Sequence, residues 1–278
     1  MGAMSEFIER KVCAAADGVR IVYSAAGAGE LALVFVHGGL ANKEFWAGEL
    51  RAFAVQHRVI ALDLPGHGES GADRKKWGVP QFGEDVRAVV EAENAQRVIL
   101  FGNSLGGPVA IEAALLLGAR ALGVVGVDTF QSLTYSISAE EAQKRASAFR
   151  SDYAASLRQM VRQLFHTDAD PVVLADAERR MAGTSPEAAY SIFLSLIGYD
   201  TSEAARRLDV PLRAINGDLH PTDVEGVRKV KPDFEVVLMK HMGHYPMLER
   251  PEEFDLQVAE TIRRLCEAAE PSSSISNL

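Results

Sequence analysis

The segment Val98-Ile99-Leu100-Phe101-Gly102-Asn103-Ser104-Leu105-Gly106-Gly107-Pro108-Val109-Ala110 runs from bulky apolar residues through Gly-Asn-Ser-Leu-Gly into a pattern with helical spacing. A short, uninterrupted apolar run predicts a strand buried on both faces, and Leu105 to Leu117, closed by Gly118, predicts the helix that follows. G-x-S-x-G between a strand and a helix is the form of a nucleophile elbow. A serine on so sharp a turn takes a strained backbone conformation, and its neighbours two positions away must lack a side chain for strand and helix to approach. Gly102 and Gly106 meet that need, and Gly107 adds room. The turn would present the Ser104 hydroxyl at the carboxyl edge of a sheet and the Leu105 N–H at a helix N-terminus, where it can meet an oxyanion.

Outward from this segment the alternation repeats. Leu31 to Val36, Arg58 to Leu62, Arg97 to Phe101 and Leu122 to Val127 are too apolar to alternate, and Phe45 to Val55 and Gln81 to Glu93 between them have helical spacing. Strand then helix, repeated, predicts a doubly wound α/β sheet. At the start, Ile8 to Ala15 and Val19 to Ala25 flank Asp17-Gly18, which predicts an antiparallel hairpin. From residue 130 to residue 209 the alternation stops, and Ala139 to Phe165, Pro171 to Met181 and Pro186 to Leu208 read as helices. It resumes with Leu212 to Asn216 and Glu235 to Met239 as strands and Pro251 to Ala268 as a closing helix. One core in two pieces, residues 1–129 and 210–278, with an all-helical insertion over 130–209, is the expected organisation. The Ser-rich tail, residues 271–278, is expected to be disordered.

The chain has 278 residues, 47% hydrophobic and 24% charged, a balance that excludes collagen-like, disordered and coiled-coil architectures. Its formal charge is -9 and its basic residues are scattered, Arg74-Lys75-Lys76 being the densest run, which argues against a nucleic-acid partner. Two cysteines, Cys13 and Cys266, make neither a disulfide framework nor a zinc site and fit a reducing compartment. Glu6, Glu9, Arg10 and Lys11 stand where a signal peptide needs an apolar stretch. No later stretch approaches the roughly 18 apolar residues of a membrane span, so a cytoplasmic protein with no membrane partner is expected.

Two further signals bear on chemistry. His37-Gly38-Gly39 follows the strand Leu31 to Val36, and glycines there let the backbone turn toward Ser104; the Gly39 N–H is the expected second oxyanion donor, and His37 reads as a structural histidine beneath the loop. A serine hydroxyl needs a base titrating near neutrality, the natural role of histidine. Of seven histidines, His244 in Gly243-His244-Tyr245-Pro246 follows the last expected strand, where a parallel sheet brings it to the same edge as Ser104. Pairing of His241 with His244 on a metal finds no carboxylate or cysteine at ligand spacing, and His57, His67 and His166 read as surface or loop residues.

With Asp63-Leu64-Pro65-Gly66-His67-Gly68-Glu69-Ser70 and Glu249-Arg250-Pro251-Glu252-Glu253-Phe254 added to these motifs, nearly the whole chain resembles the α/β-hydrolase superfamily. The resemblance implies an eight-stranded, mostly parallel sheet flanked by helices, with residues 130–209 as a helical cap inserted after the sixth strand. It also implies Ser104 as nucleophile, His244 as base, Gly39 and Leu105 as oxyanion donors, and the Asp63 to Ser70 loop as structural with His67 bracing it. Relatives commonly place the triad acid three residues beyond a glycine after the seventh strand, a slot that here, counted from Gly217, holds His220. A less common arrangement takes it from the end of the sixth strand, where Asp128 stands; Asp218 and Asp223 are the alternatives.

The expected activity is hydrolysis of an ester or related acyl bond of a small to medium apolar molecule through an acyl-enzyme on Ser104, with no cofactor and no metal. Leu40, Trp46, Phe130, Phe165, Phe193, Tyr199 and Met247 are the expected substrate-binding residues, each equally readable as core. Other readings stay open: C–C bond hydrolysis or other cofactor-free chemistry on the same fold, a small-ligand receptor that keeps the triad, or an inactive homologue. The aspartate nucleophile of haloalkane dehalogenases and epoxide hydrolases is replaced here by Ser104.

Overall fold

The computed structural model describes residues 8–134 and 137–269. The expected disordered tail lies outside the described residues. Eight strands form one sheet: β1 (Glu9–Ala14), β2 (Arg20–Ala26), β3 (Leu31–Val36), β4 (Arg58–Leu62), β5 (Arg97–Asn103), β6 (Ala121–Val127), β7 (Leu212–Asn216) and β8 (Glu235–Leu238), in the order β1-β2-β4-β3-β5-β6-β7-β8. The hairpin of β1 and β2 turns at Asp17-Gly18, Gly18 supplying the left-handed φ of 84°. β2 meets β4 antiparallel, and every later pairing is parallel.

The helices are α1 (Ala47–Phe53), α2 (Val79–Ala92), α3 (Gly106–Leu117), α4 (Ala139–Ser151), α5 (Tyr153–Leu164), α6 (Pro171–Met181), α7 (Pro186–Leu194), α8 (Thr201–Arg206), α9 (Val224–Val230), α10 (Pro246–Glu249) and α11 (Pro251–Ala269). Because side chains alternate across a strand, the two faces of the sheet can be told apart from β3 and β5. Phe35 and Phe101 pair in the register and stack at 4.8 Å; Trp46 lies 5.1 Å from Phe35 and 6.4 Å from Phe254 of α11. The next residue, Gly102, turns to the other face, where α3 begins. Among the described residues no helix is long and apolar enough to cross a membrane.

Between β6 and β7 the described chain is helical, as expected, but in shorter pieces. The run Ala139 to Phe165 breaks at Asp152, whose carboxylate caps the Ala155 N–H. The run Pro186 to Leu208 breaks at Gly198, with φ of 75°, and restarts where Asp200 caps Ser202 and Glu203. A side chain that satisfies the orphan N–H groups of a new helix start competes with continuing the old one. The two short helices α9 and α10 lack enough length to show periodicity in the sequence, although Asp223 at the start of α9 is an N-cap signal.

Candidate active site

Ser104 stands at the junction of β5 and α3 with φ of 52°. A Cβ on Gly102 would lie 2.1 Å from the Gly106 carbonyl oxygen, and one on Gly106 2.3 Å from that of Val36, so both glycines are required by backbone contact. Room at Gly107 is taken up by Thr129 and Phe130. Of six described non-glycine residues with positive φ, five lie on loops that follow β3, β5, β6 and β8: Leu40, Ser104, Asp128, Phe130 and His241. Backbone strain is thus concentrated at the carboxyl edge of the sheet, where loops converge.

His244 reaches the same edge from the loop between β8 and α10. Its Nδ1 lies 2.5 Å from Asp128 Oδ2, and the other Asp128 oxygen accepts the Gly217 N–H at 2.9 Å. The buried carboxylate takes up Nδ1, which leaves Nε2 as the ring nitrogen turned away from Asp128. The backbone of His244 is fixed on both sides: its N–H donates to Leu164 O at 2.7 Å, and its carbonyl accepts from Asn103 Nδ2 at 2.9 Å. Asn103 Nδ2 also donates to Val127 O at 2.9 Å, which joins the residue before Ser104 to the histidine and to the end of β6. Asp218 is turned elsewhere, accepting the His241 and Met242 N–H groups at 3.0 and 3.1 Å, and Asp223 caps α9 through Gly226. Of the three carboxylates weighed from the sequence, Asp128 is the one in contact with His244.

Gly38 packs directly on the elbow, a Cβ there falling 3.0 Å from Ser104 Cβ, whereas Gly39 faces open space with Ile192 of α7 as its nearest neighbour at 3.8 Å. Among the described residues the N–H groups of Gly39 and Leu105 have no backbone acceptor. His37 is buried beneath this loop: its Nδ1 meets Gly38 O at 2.8 Å and its Nε2 accepts the Leu64 N–H at 3.0 Å. Burial lowers its pKa to about 4, so it is neutral and a brace. His67 is equally buried, not a surface residue; burial lowers it to about 3, and its ring stands edge-on to His37 at 4.7 Å. Asp63, at the start of the same loop, accepts the Lys43 and Glu69 N–H groups and the Lys43 ammonium, which fixes the loop by bonds to its own carboxylate.

The residues expected to bind substrate divide. Leu40, Phe130, Phe165 and Met247 are buried on or beside the carboxyl-edge loops, with Phe165 5.2 Å from the ring of Tyr245, the neighbour of His244. Trp46 belongs to the core between Phe35 and Phe254, Phe193 stacks on Phe149 within the helical segment, and Tyr199 donates its hydroxyl to Glu112 of α3. Bulk alone does not separate a pocket wall from a core residue. Conversely, Asn103 and Glu249 support the site although the sequence marks neither of them as a site residue. Glu249 accepts the N–H groups of His166, Gly243 and Tyr245, so one carboxylate holds the loops on either side of His244. Asn103 occupied the variable position of G-x-S, and its partners appear only in three dimensions.

The helical segment touches this edge at several points. Asn42 donates to Arg180 O, Arg180 to Glu44 O, Thr184 to Leu40 O, and the Tyr245 hydroxyl meets Met181 Sδ at 4.0 Å.

Residues 33–255 match the sequence profile of the alpha/beta hydrolase family. A dihydrolipoyllysine-residue acetyltransferase component of an acetoin cleaving system from Pseudomonas putida is 27% identical over 87% of this chain and 66% of its own length. A pimeloyl-[acyl-carrier protein] methyl ester esterase from Nitrosospira multiformis is 28% identical over 80% of this chain and 90% of its own. In fold, a thermophilic esterase from Thermogutta terrifontis superposes with a TM-score of 0.83 at 21% identity, covering 92% of this chain and 99% of that one. The profile match spans most of the chain: the protein belongs to the alpha/beta hydrolase family.

Proposed function

We propose that the protein cleaves an ester or related acyl bond through an acyl-enzyme on Ser104. The observation that carries this reading is the 2.5 Å contact of the buried Asp128 carboxylate with His244 Nδ1, which leaves Nε2 as a base on the edge where Ser104 projects. In the first step Ser104 Oγ attacks the carbonyl carbon and His244 Nε2 takes its proton; Asp128 stabilises the imidazolium and holds its orientation. The tetrahedral oxyanion is met by the N–H groups of Gly39 and Leu105, each such donor being worth about 3 to 4 kcal/mol in the transition state. Collapse expels the alcohol with the histidine's proton, and water, activated by the same nitrogen, releases the acid. The names of the two curated relatives, a methyl ester esterase and an acetyltransferase component, both describe chemistry at an acyl carbon, which supports the reading.

Residues 130–209 act as the cap in this proposal, and Leu40, Phe130, Phe165 and Met247 give its acyl site an apolar, small to medium character. The test is a series of p-nitrophenyl esters of graded acyl length, with fluorophosphonate labelling and peptide mapping. Wild type is expected to turn over the shorter esters and to be labelled at Ser104, and Ser104→Ala to do neither. Full activity in the alanine variant, or an unlabelled Ser104, overturns the proposal; labelling without turnover identifies a receptor instead.

A further inference from the structure

We propose that His166, Asp168 and His241 form a divalent-metal site that pins the loop between α5 and α6 to the loop that carries His244. Each of the three offers a ligand atom, and these atoms all lie within 4.8 Å of one another. His166 Nδ1 and Asp168 Oδ2 are 3.6 Å apart, close to the roughly 3.4 Å that separates two ligands bound at about 2.1 Å in a tetrahedral site. The rings of His166 and His241 stand 5.7 Å apart and perpendicular, an edge contact that a modest closing movement converts into shared coordination. Two imidazoles and one carboxylate are a donor set suited to zinc and its first-row neighbours, with the remaining position open to water.

The backbone behind these ligands is already fixed. Asp218 accepts the His241 and Met242 N–H groups, Glu249 accepts the His166 N–H at 3.2 Å, and the Asp168 N–H donates to His166 Nδ1 at 3.3 Å. Coordination through Nδ1 replaces only this last, long hydrogen bond. The placement differs from the expectation of no metal, which rested on weighing and setting aside a pairing of His241 with His244: the Nδ1 of His244 is taken by Asp128, and the neighbours of His241 come from the helical segment. Asp168 is exposed, so an ion has direct access from solvent. Since Leu164 O accepts the His244 N–H, an ion here tightens the segment that holds the histidine without touching the proposed acyl chemistry.

The experiment uses the untagged full chain, stripped with chelator, and zinc as the probe, with binding followed by calorimetry and by elemental analysis after equilibrium dialysis. One zinc per chain at micromolar or tighter affinity and a raised Tm are expected, both reversed by chelator. His166→Gln and His241→Asn, the latter chosen because asparagine tolerates the left-handed backbone of φ 53°, are each expected to weaken binding by at least about tenfold. A Cys13→Ser, Cys266→Ser double variant is expected to bind as wild type. Fluorophosphonate labelling of Ser104 in each metal-free variant shows that its fold is retained, and it separates failure here from failure of the acyl-enzyme reading. Absence of one-to-one uptake, or uptake unchanged in both histidine variants, overturns the proposal.

Discussion

The Asp128 carboxylate divides its oxygens between His244 and the Gly217 N–H, so changing it to an amide alters charge and proton direction with little change of shape. In Asp128→Asn an amide nitrogen turned to the histidine favours the wrong tautomer, and kcat for p-nitrophenyl ester cleavage should fall by about 10³ to 10⁴ with the Tm little moved. Asp218→Asn, which loses only loop contacts, should keep most of its turnover; the opposite ranking would place the acid at Asp218. A second residue gives a pH dependence of stability. Glu49 is fully buried in α1, with no other residue among those described bonding either carboxylate oxygen, and burial, opposed by its own backbone N–H and reinforced by Asp255, pushes its carboxyl from 4.5 up to about 8. Between those values the folded chain holds a proton that the unfolded chain has released, so stability falls as pH rises, by about 1.4 kcal/mol per pH unit. Below the window both states are protonated and above it both are ionised, and the contribution is constant. Glu49→Gln should flatten this slope and gain Tm over wild type at pH 8 more than at pH 5; parallel thermal unfolding profiles for the two proteins would refute it.

The elbow between β5 and α3 sets a sharper test at the level of an element. An alanine at 102 would place its methyl 2.1 Å from a backbone oxygen that cannot move without opening the turn, whereas one at 39 meets nothing closer than 3.8 Å. Gly102→Ala is therefore expected to lose about 3 kcal/mol or more in urea unfolding together with the label at Ser104, and Gly39→Ala to change stability by under about 0.5 kcal/mol. Equal losses would show that the close approach is not what requires Gly102. The same elements explain how much could be read from the chain. β3 and β4 have the bounds expected of them because a strand buried on both faces is a nearly unbroken apolar run, and β7 has them although Arg213 interrupts its apolar residues. Ser104 and His244 were legible because each is marked by its own turn and by its place after a strand. Choosing among Asp128, Asp218 and Asp223 required knowing how the loops after β6, β7 and β8 meet, and adjacency across a sheet is not written in sequence spacing. The helical segment was legible in kind but not in its breaks, since capping by Asp152 or Asp200 competes with a helical pattern that continues past them.

Across the whole molecule, the core strands are contributed by two pieces of chain, and Ser104 and His244 come from different pieces, so the proposed site exists only when β7 and β8 have joined β6. The helical segment between β6 and β7 is bound differently from the sheet. β3 and β5 are buried at nearly every position, whereas α4, α5 and α6 bury only a few residues each, among them Ala142, Ala146, Phe149, Leu157, Val161, Ala177 and Met181. Beside the apolar contacts of these residues, the helical segment is tied by single hydrogen bonds such as Asn42 to Arg180, Thr184 to Leu40 and Tyr199 to Glu112. Segments with few buried apolar contacts open locally at a lower free energy than the core they rest on. Amide hydrogen exchange under native conditions should accordingly show β3, β5 and β6 exchanging only through global unfolding, and α4 to α6 exchanging earlier and together. Access to Ser104 by fluorophosphonate would then follow that opening, with denaturant too dilute to unfold the sheet speeding both alike. Protection of α4 to α6 equal to that of β5, or labelling indifferent to their opening, would mean that substrate reaches the site by a route fixed in the folded chain.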